Sequence, residues 1–295
     1  MDYAVGKLFH LGHLVEDLEA VDRWYDEIFG CVRFYHGYEK AARRTASLLV
    51  ISDMVMEPIM PSTAPEDSQS PLGKFKTRFG NRLHSIAWYV DDIAACSAHL
   101  ADKDIRQVGL TGKPVTDPRI QVAVWTHPKD TRALWEFCEP GFAPDPRLDA
   151  GWSDAFWRNE HPLRIQRTAF ISVLLENLED ASTLYGKALG GVLLHEEETD
   201  GARRAFWAVG EETVIQAIQP VDVSTVAGDD LAQNGEGVHE IVFATSDLAA
   251  AAAFLEQKGQ RLERRSADAF WINRDDSFGL NVGFTDRLIP NDARR

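Results

Sequence analysis

Four times along this chain an apolar run arrives at an Asp or Asn followed by Leu or Ile: LFHLGHLVEDL, RLHSIAWYVDDI, RTAFISVLLENL and GVHEIVFATSDL, with the polar residue at Asp17, Asp92, Asn177 and Asp247. Internal repetition constrains architecture more than any single motif, because each repeat must be one supersecondary unit that buries its apolar face against the next. Each run reads as a strand feeding a helix, since Asp and Asn side chains accept hydrogen bonds from the free N–H groups of a first helical turn. After Asp17 the residues Leu18, Val21, Tyr25 and Ile28 recur at helical spacing, and Gly30 ends the segment.

The repeats alternate. Tyr185 and Gly190 follow Asn177 at the same offsets, 8 and 13, at which Tyr25 and Gly30 follow Asp17. Leu100 and Lys103 follow Asp92 as Leu255 and Lys258 follow Asp247, at 8 and 11. Behind each helix come β-like runs, among them SLLVISDMVMEPI, ALWEFCE, AFWAVG and LNVGF. The reading is α+β: four βαβββ units in the order A, B, A, B. The stretch GFAPDPRLDAGWSDAFWRNEHPLRI, rich in Pro, Asp and Trp, reads as an ordered connector. It divides the chain into modules at 1–140 and 166–295, with the connector over 141–165.

Composition narrows the role. A net charge of −15, from 46 acidic and 31 basic side chains, opposes binding to nucleic-acid phosphates and to anionic membranes. Cys31, Cys96 and Cys138 show no paired spacing, which fits a reduced, cytoplasmic protein better than a disulfide framework. The N-terminal segment lacks the pattern of an export signal, and the Ala-rich run from Leu248 to Leu255 is too short to cross a bilayer.

With paired βαβββ units and a strand-borne residue seven positions before the cap, the chain resembles the vicinal-oxygen-chelate superfamily over nearly its whole length. Members include glyoxalase I, methylmalonyl-CoA epimerase, extradiol dioxygenases, fosfomycin-resistance transferases and metal-free bleomycin-binding proteins. The resemblance implies two cupped sheets and a divalent ion held at four strand positions. In the N-terminal half these fall on His10 in FHLGHLVEDL, Glu57 in MEPIMP, Ser85 with His84 beside it in LHSIAWYVDD, and Glu136 in HPKDTRALWEFCE; the epimerases are the most similar subgroup. A ligand at His84 requires a bulge to turn it inward, because neighbouring residues on a strand face opposite ways. In the C-terminal half the same positions read Phe170, Gln216, Glu240 and Gly283, so no metal is expected there and that half is expected to act as a packed support.

One imidazole and two carboxylates suit Mn, Co, Mg, Zn or Fe as divalent ions. The resemblance then implies an enzyme acting on a small oxygen-rich substrate by enolisation (an isomerase, epimerase or lyase), with Glu57 or Glu136 as the proton-transferring carboxylate. Two alternatives stand beside it: an extradiol ring-cleaving dioxygenase with Fe(II), and a metal-free protein that sequesters a small molecule. A homodimer is common in the family. His13 is expected to face away from His10, His127 to shape the turn before Pro128, Trp88, Trp125 and Trp135 to be core, and Arg43 and Arg44 to lie in a solvated loop.

Overall fold

The computed structural model describes residues 1–110, 112–141 and 143–294. The first sheet is built from β1 (Val5–Leu14), β2 (Val32–Glu39), β3 (Arg44–Ile51), β4 (Met54–Pro61), β5 (Arg82–Val90), β6 (Gln107–Val108), β7 (Val124–Thr126) and β8 (Leu134–Cys138). Its order is β2-β3-β4-β1-β5-β8-β7-β6. The second comprises β9 (Ile165–Leu174), β10 (Val192–Thr199), β11 (Ala202–Val209), β12 (Thr213–Pro220), β13 (Gly237–Thr245), β14 (Leu262–Ser266), β15 (Ala269–Ile272) and β16 (Val282–Thr285). It repeats the topology as β10-β11-β12-β9-β13-β16-β15-β14. In each sheet the first strands of the two units pair antiparallel at the centre, and each pairs in parallel with the last strand of its own unit. This mixed α+β arrangement is the four-unit fold read from the repeat.

The helices are α1 (Leu18–Phe29), α2 (Pro71–Phe79), α3 (Ile93–Ala101), α4 (Pro128–Thr131), α5 (Val226–Asn234) and α6 (Leu248–Gln257). Asp17, Asp92 and Asp247 cap α1, α3 and α6 through side-chain bonds from Ala20, Ala95 and Ala250 N–H at 2.8–2.9 Å. Gly30, at φ 57°, closes α1 in the left-handed region that glycine enters without a Cβ penalty. The third repeat departs from its expected α-helix. Asn177 caps only a turn, through Glu179 N–H at 3.2 Å, and the chain then winds as a wider π-type helix over Ser182–Ala188. Gly186 lies in that winding under the Trp207 ring, where an added Cβ would come within 3.0 Å of the indole, so the wider turn seats backbone directly on an aromatic face.

One buried apolar cluster runs through both sheets. Phe29 at the end of α1 lies 5.7 Å from Phe243 on β13, and Tyr185 of the π-type segment lies 5.9 Å from Trp135 on β8. Each sheet thus receives helical residues from the other, which buries more apolar surface than either sheet could cover alone. His127 caps α4, its Nδ1 accepting from Lys129 N–H.

His13 points into this shared layer, away from the face that carries His10. Its Nε2 donates to the Phe278 carbonyl and its Nδ1 accepts from Tyr25 Oη, both at 3.0 Å. Burial holds its pKa down to about 4, outweighing the Phe278 hydrogen bond. An unfolded histidine titrates near about 6.5, so between those values the unfolded chain binds a proton that the native protein refuses. The stability contributed by neutral His13 is complete above the unfolded value and is lost as pH falls toward the folded one. The urea midpoint is therefore expected to drop as pH is lowered from about 7 to about 4.5. His13→Gln, whose amide can serve both partners without titrating, should flatten that slope by about one proton; an unchanged slope would remove His13 from the account.

Candidate metal and acid–base site

Four adjacent strands bring the candidate residues to one cup. Glu57 comes from β4, His10 from β1, His84 and Ser85 from β5, and Glu136 from β8. Two irregularities aim them. Leu8 pairs with Trp88 and Leu11 with Ile86, so β1 carries one extra residue around Phe9 and His10. Gly12 pairs with Ser85 but His13 with Leu83, which leaves His84 as an extra residue on β5. A bulge of this kind re-aims a side chain that regular alternation would turn away. Gly12 keeps the cup floor open beside Ser85, whose Oγ would lie 2.4 Å from an added Cβ and would have to turn away.

The centre is buried and charged. His10, Glu57 and Glu136 are all buried. His10 Nε2 stands 3.1 Å from Glu57 Oε2 and 3.3 Å from Glu136 Oε2. Burial disfavours charge on His10, yet the two carboxylates outweigh it and raise its pKa. The carboxylates themselves differ. Burial would raise Glu136, but His10 and the Trp125 indole, which donates to Oε2 at 2.8 Å, hold it below the usual carboxylate range. For Glu57 burial prevails over Arg44 and His10, and its pKa is raised. Arg44 Nη2 donates to Glu57 Oε1 at 2.8 Å, while Glu57 Oε2 has no hydrogen-bond partner.

Arg44 corrects its expected place in a solvated loop. It lies on β3, largely buried, and bridges Glu57 to Glu39, with Nε 2.6 Å from Glu39 Oε2. Arg43, one residue earlier, is exposed and pairs with Asp67. The tryptophans also divide. Trp88 and Trp135 are buried core residues, whereas Trp125 serves the site through Glu136. His84 packs edge-on against Phe75 of α2 at 4.7 Å, and its Nδ1 is buried without a partner. Burial pushes its pKa down to about 4, with Arg44 and His10 assisting and Glu136 opposing, so the fields of all three groups reach its ring.

Among the described residues no three His, Cys, Asp or Glu side chains stand ready around an ion position; here the donors touch one another instead. Their chemistry nonetheless fits a divalent ion. Donors about 3.0–3.4 Å apart are what bonds of about 2.1 Å at octahedral or tetrahedral angles require, and the His10 contacts fall in that range. His10 Nε2 and Glu57 Oε2, both buried, lack any hydrogen-bond partner.

The second cup differs at every one of these positions. Strand registers set Gln216 where Glu57 stands, Glu240 at Ser85, and Gly283 at Glu136, with Phe170 in the place of His10. It is not the filled support expected of it. A cavity of about 440 Å³ opens in the second cup, lined by Phe170, Gln216, Glu240 and Trp271 among others.

The sequence profile of the Glyoxalase/Bleomycin resistance protein/Dioxygenase superfamily matches residues 9–124 and 171–270, well over half the chain. Among solved structures, a variant of 4-hydroxymandelate synthase from Streptomyces coelicolor aligns with 98% of this chain and 95% of its own, at 12% identity and a TM-score of 0.70, which shows a common fold. Methylmalonyl-CoA epimerase from Mycobacterium tuberculosis matches 41% of this chain and 87% of its own, at 29% identity and a TM-score of 0.39. A Streptomyces coelicolor methylmalonyl-CoA epimerase bound to 2-nitronate-propionyl-CoA matches 41% and 96%, at 27% identity and a TM-score of 0.38. No curated protein matches in sequence. A profile that recognises both halves, on a fold in which both halves carry the same sheet, makes the chain a two-module member of the Glyoxalase/Bleomycin resistance protein/Dioxygenase superfamily.

Proposed function

We propose that the chain is an enzyme that moves a proton beside a carbonyl or carboxylate of a small oxygen-rich substrate, as an isomerase, epimerase or lyase. The observation that carries this reading is the buried convergence of His10 Nε2 with the Oε2 atoms of Glu57 and Glu136, two carboxylates of opposite pKa direction. Two acids pushed apart by their surroundings are the signature of divided acid–base labour. Glu136, anchored by Trp125 and kept charged, is suited to hold a cation. Glu57, gripped through one oxygen only and inclined to protonate, is suited to exchange a proton with substrate. Arg44 keeps its other oxygen in place throughout. His10, Glu136, His84 and the looser Glu57 would hold a divalent ion, whose chemistry is to neutralise the negative charge of an enolised substrate.

In this reading residues 1–140 form the catalytic module, 141–165 the connector and 166–295 the second module. The three unpaired cysteines fit a cytoplasmic setting, and no helix among the described residues is long and apolar enough to cross a membrane. A second reading draws on the β5 bulge. Were that bulge to turn His84 inward, His10, His84 and Glu136 would make the two-histidine, one-carboxylate set of Fe(II) oxygenases.

Metal content by mass spectrometry, on protein purified without chelator or metal-affinity tag, tests both. Near-stoichiometric Mn, Co, Mg or Zn, lost in His10→Ala, together with solvent deuterium entering 2-oxo acids or 2-hydroxy ketones, is the expected result. Iron with oxygen uptake on catechols would transfer the assignment to ring cleavage. Absence of metal from both proteins, even after incubation with each ion, would sink both enzyme readings in favour of sequestration.

A further inference from the structure

The second cup inherits one member of the first site and lacks its partner. In the first sheet Trp125 faces Glu136 across the β7–β8 pair and donates to its carboxylate; in the second, Trp271 faces Gly283 across β15–β16. Trp271 is buried, and its Nε1 has no acceptor among the described residues. The chain cannot supply one at position 283, because a Cβ there would lie 2.5 Å from that same nitrogen. A second donor stands beside it. The guanidinium carbon of Arg265 lies 4.4 Å from the Trp271 ring centroid, and Arg265 Nε is likewise buried without a partner. The other arms of Arg265 are occupied by Asn281 at 3.0 Å and by Glu240 and Glu263 at 3.4 and 3.5 Å.

Buried N–H groups are rarely left without acceptors, since each forfeits its hydration for nothing. Two such donors on stacked side chains, one neutral and one cationic, on the wall of a 440 Å³ cavity, describe a receptor for a pair of acceptor oxygens. On the acceptor side of the cup, Ser172 Oγ lies 2.7 Å from Gln216 Oε1 and 3.0 Å from Glu240 Oε1, with one proton to donate between them, and Asn281 donates to Glu240 Oε2. With Glu197, Asp200, Glu240 and Asp268 set against Arg204, Arg265 and Arg287, the wall has no net positive charge to hold a doubly charged ligand such as phosphate. Phe170 and Phe206, edge to face at 5.6 Å, offer an apolar surface opposite.

We propose that the second cup is a metal-free binding site for a small apolar monocarboxylate, its two oxygens accepting from Trp271 Nε1 and Arg265 Nε and its body resting on Phe170 and Phe206.

Calorimetric titration with benzoate, and with benzyl alcohol as its uncharged counterpart, tests this on the full chain. Benzoate should bind roughly tenfold or more tightly than the alcohol. Trp271→Phe keeps the ring, removes the N–H and should weaken benzoate roughly tenfold. Arg265→Gln should do the same and carries the test if the first variant does not fold, as judged by its thermal melt. Equal binding of benzoate to wild type and variant, equal binding of acid and alcohol, or no heat up to millimolar benzoate would each overturn the proposal.

Discussion

Glu57→Gln is expected to lower turnover by about 10²–10⁴-fold, the usual share of a general acid–base group, while leaving the fold in place and the ion on its remaining ligands His10, Glu136 and His84. The amide matches the carboxyl in shape and its oxygen still accepts from Arg44, but it cannot take up a proton. Little stability should be lost, because the carboxylate it replaces is one whose burial already raises its pKa. Glu136→Gln should behave differently: with the anionic partner of Trp125 and His10 gone, metal content falls along with activity. Since the base must be ionised to act, Glu57 should give the pH–rate profile an acid limb. That limb should vanish from the residual activity of Glu57→Gln. Metal analysis and kinetics on the two variants decide the roles. Retention of half the wild-type turnover by Glu57→Gln would exclude it as the base, and collapse of Glu136→Gln with its metal intact would exchange the two assignments.

The difference between Glu57 and Glu136 could not be read from the sequence, and the reason is instructive. The position of His10 follows from its offset to a helix cap, a local signal, since Asp17, Asp92 and Asp247 each satisfy an N–H three residues on, and those of Glu57 and Glu136 follow from the family resemblance of MEPIMP and HPKDTRALWEFCE. What lowers Glu136 and not Glu57 is the hydrogen bond from Trp125 eleven residues away, while Arg44 on a neighbouring strand lowers both, and these contacts exist only once strands are in register. Arg44 was legible as a charge but not as a buried one, since nothing local distinguishes it from the exposed Arg43. Bulges are equally hidden. Whether His84 or Ser85 faces the cup turns on one unpaired residue in β5, and a single-residue slip reverses every side chain beyond it. The Asn177 segment fails in the opposite sense, for its offsets match those of α1 while Gly186 and Trp207 impose a wider winding. One further repeat passed unread because it is only three residues long: Asp145-Pro146-Arg147 and Asp292-Ala293-Arg294 stand after the last strand of each sheet.

Arg147→Met is expected to destabilise the protein by about 3–5 kcal/mol, the largest single loss predicted here, because it strips a buried ion pair of one partner. Arg147 and Asp145 are almost fully buried and doubly bonded, with Nη2 2.6 Å from Oδ2 and Nε 3.0 Å from Oδ1. The same guanidinium donates to the carbonyls of Leu8 and Phe9 at 2.9 Å and of Asp53 at 2.8 Å. Leu8 and Phe9 border the extra residue in β1, where the ladder to β5 is interrupted and carbonyls lose their strand partners. The connector therefore stabilises the irregularity that aims His10. Arg294 repeats the device on β9, reaching the Thr168 and Ala169 carbonyls and pairing with Asp292, but its side chain is 19% exposed against 2% for Arg147. Water can replace more of what Arg294 supplies, so Arg294→Met should cost less. Urea unfolding of both variants, with Asp145→Asn and the Asp145→Asn/Arg147→Met pair, separates the terms. The double variant should lose less than the sum of the singles, since removing both partners leaves no uncompensated buried charge. Additive losses would mean that Arg147 acts through the carbonyls alone, and a wild-type midpoint for Arg147→Met would mean that the β1 bulge holds its shape without the connector.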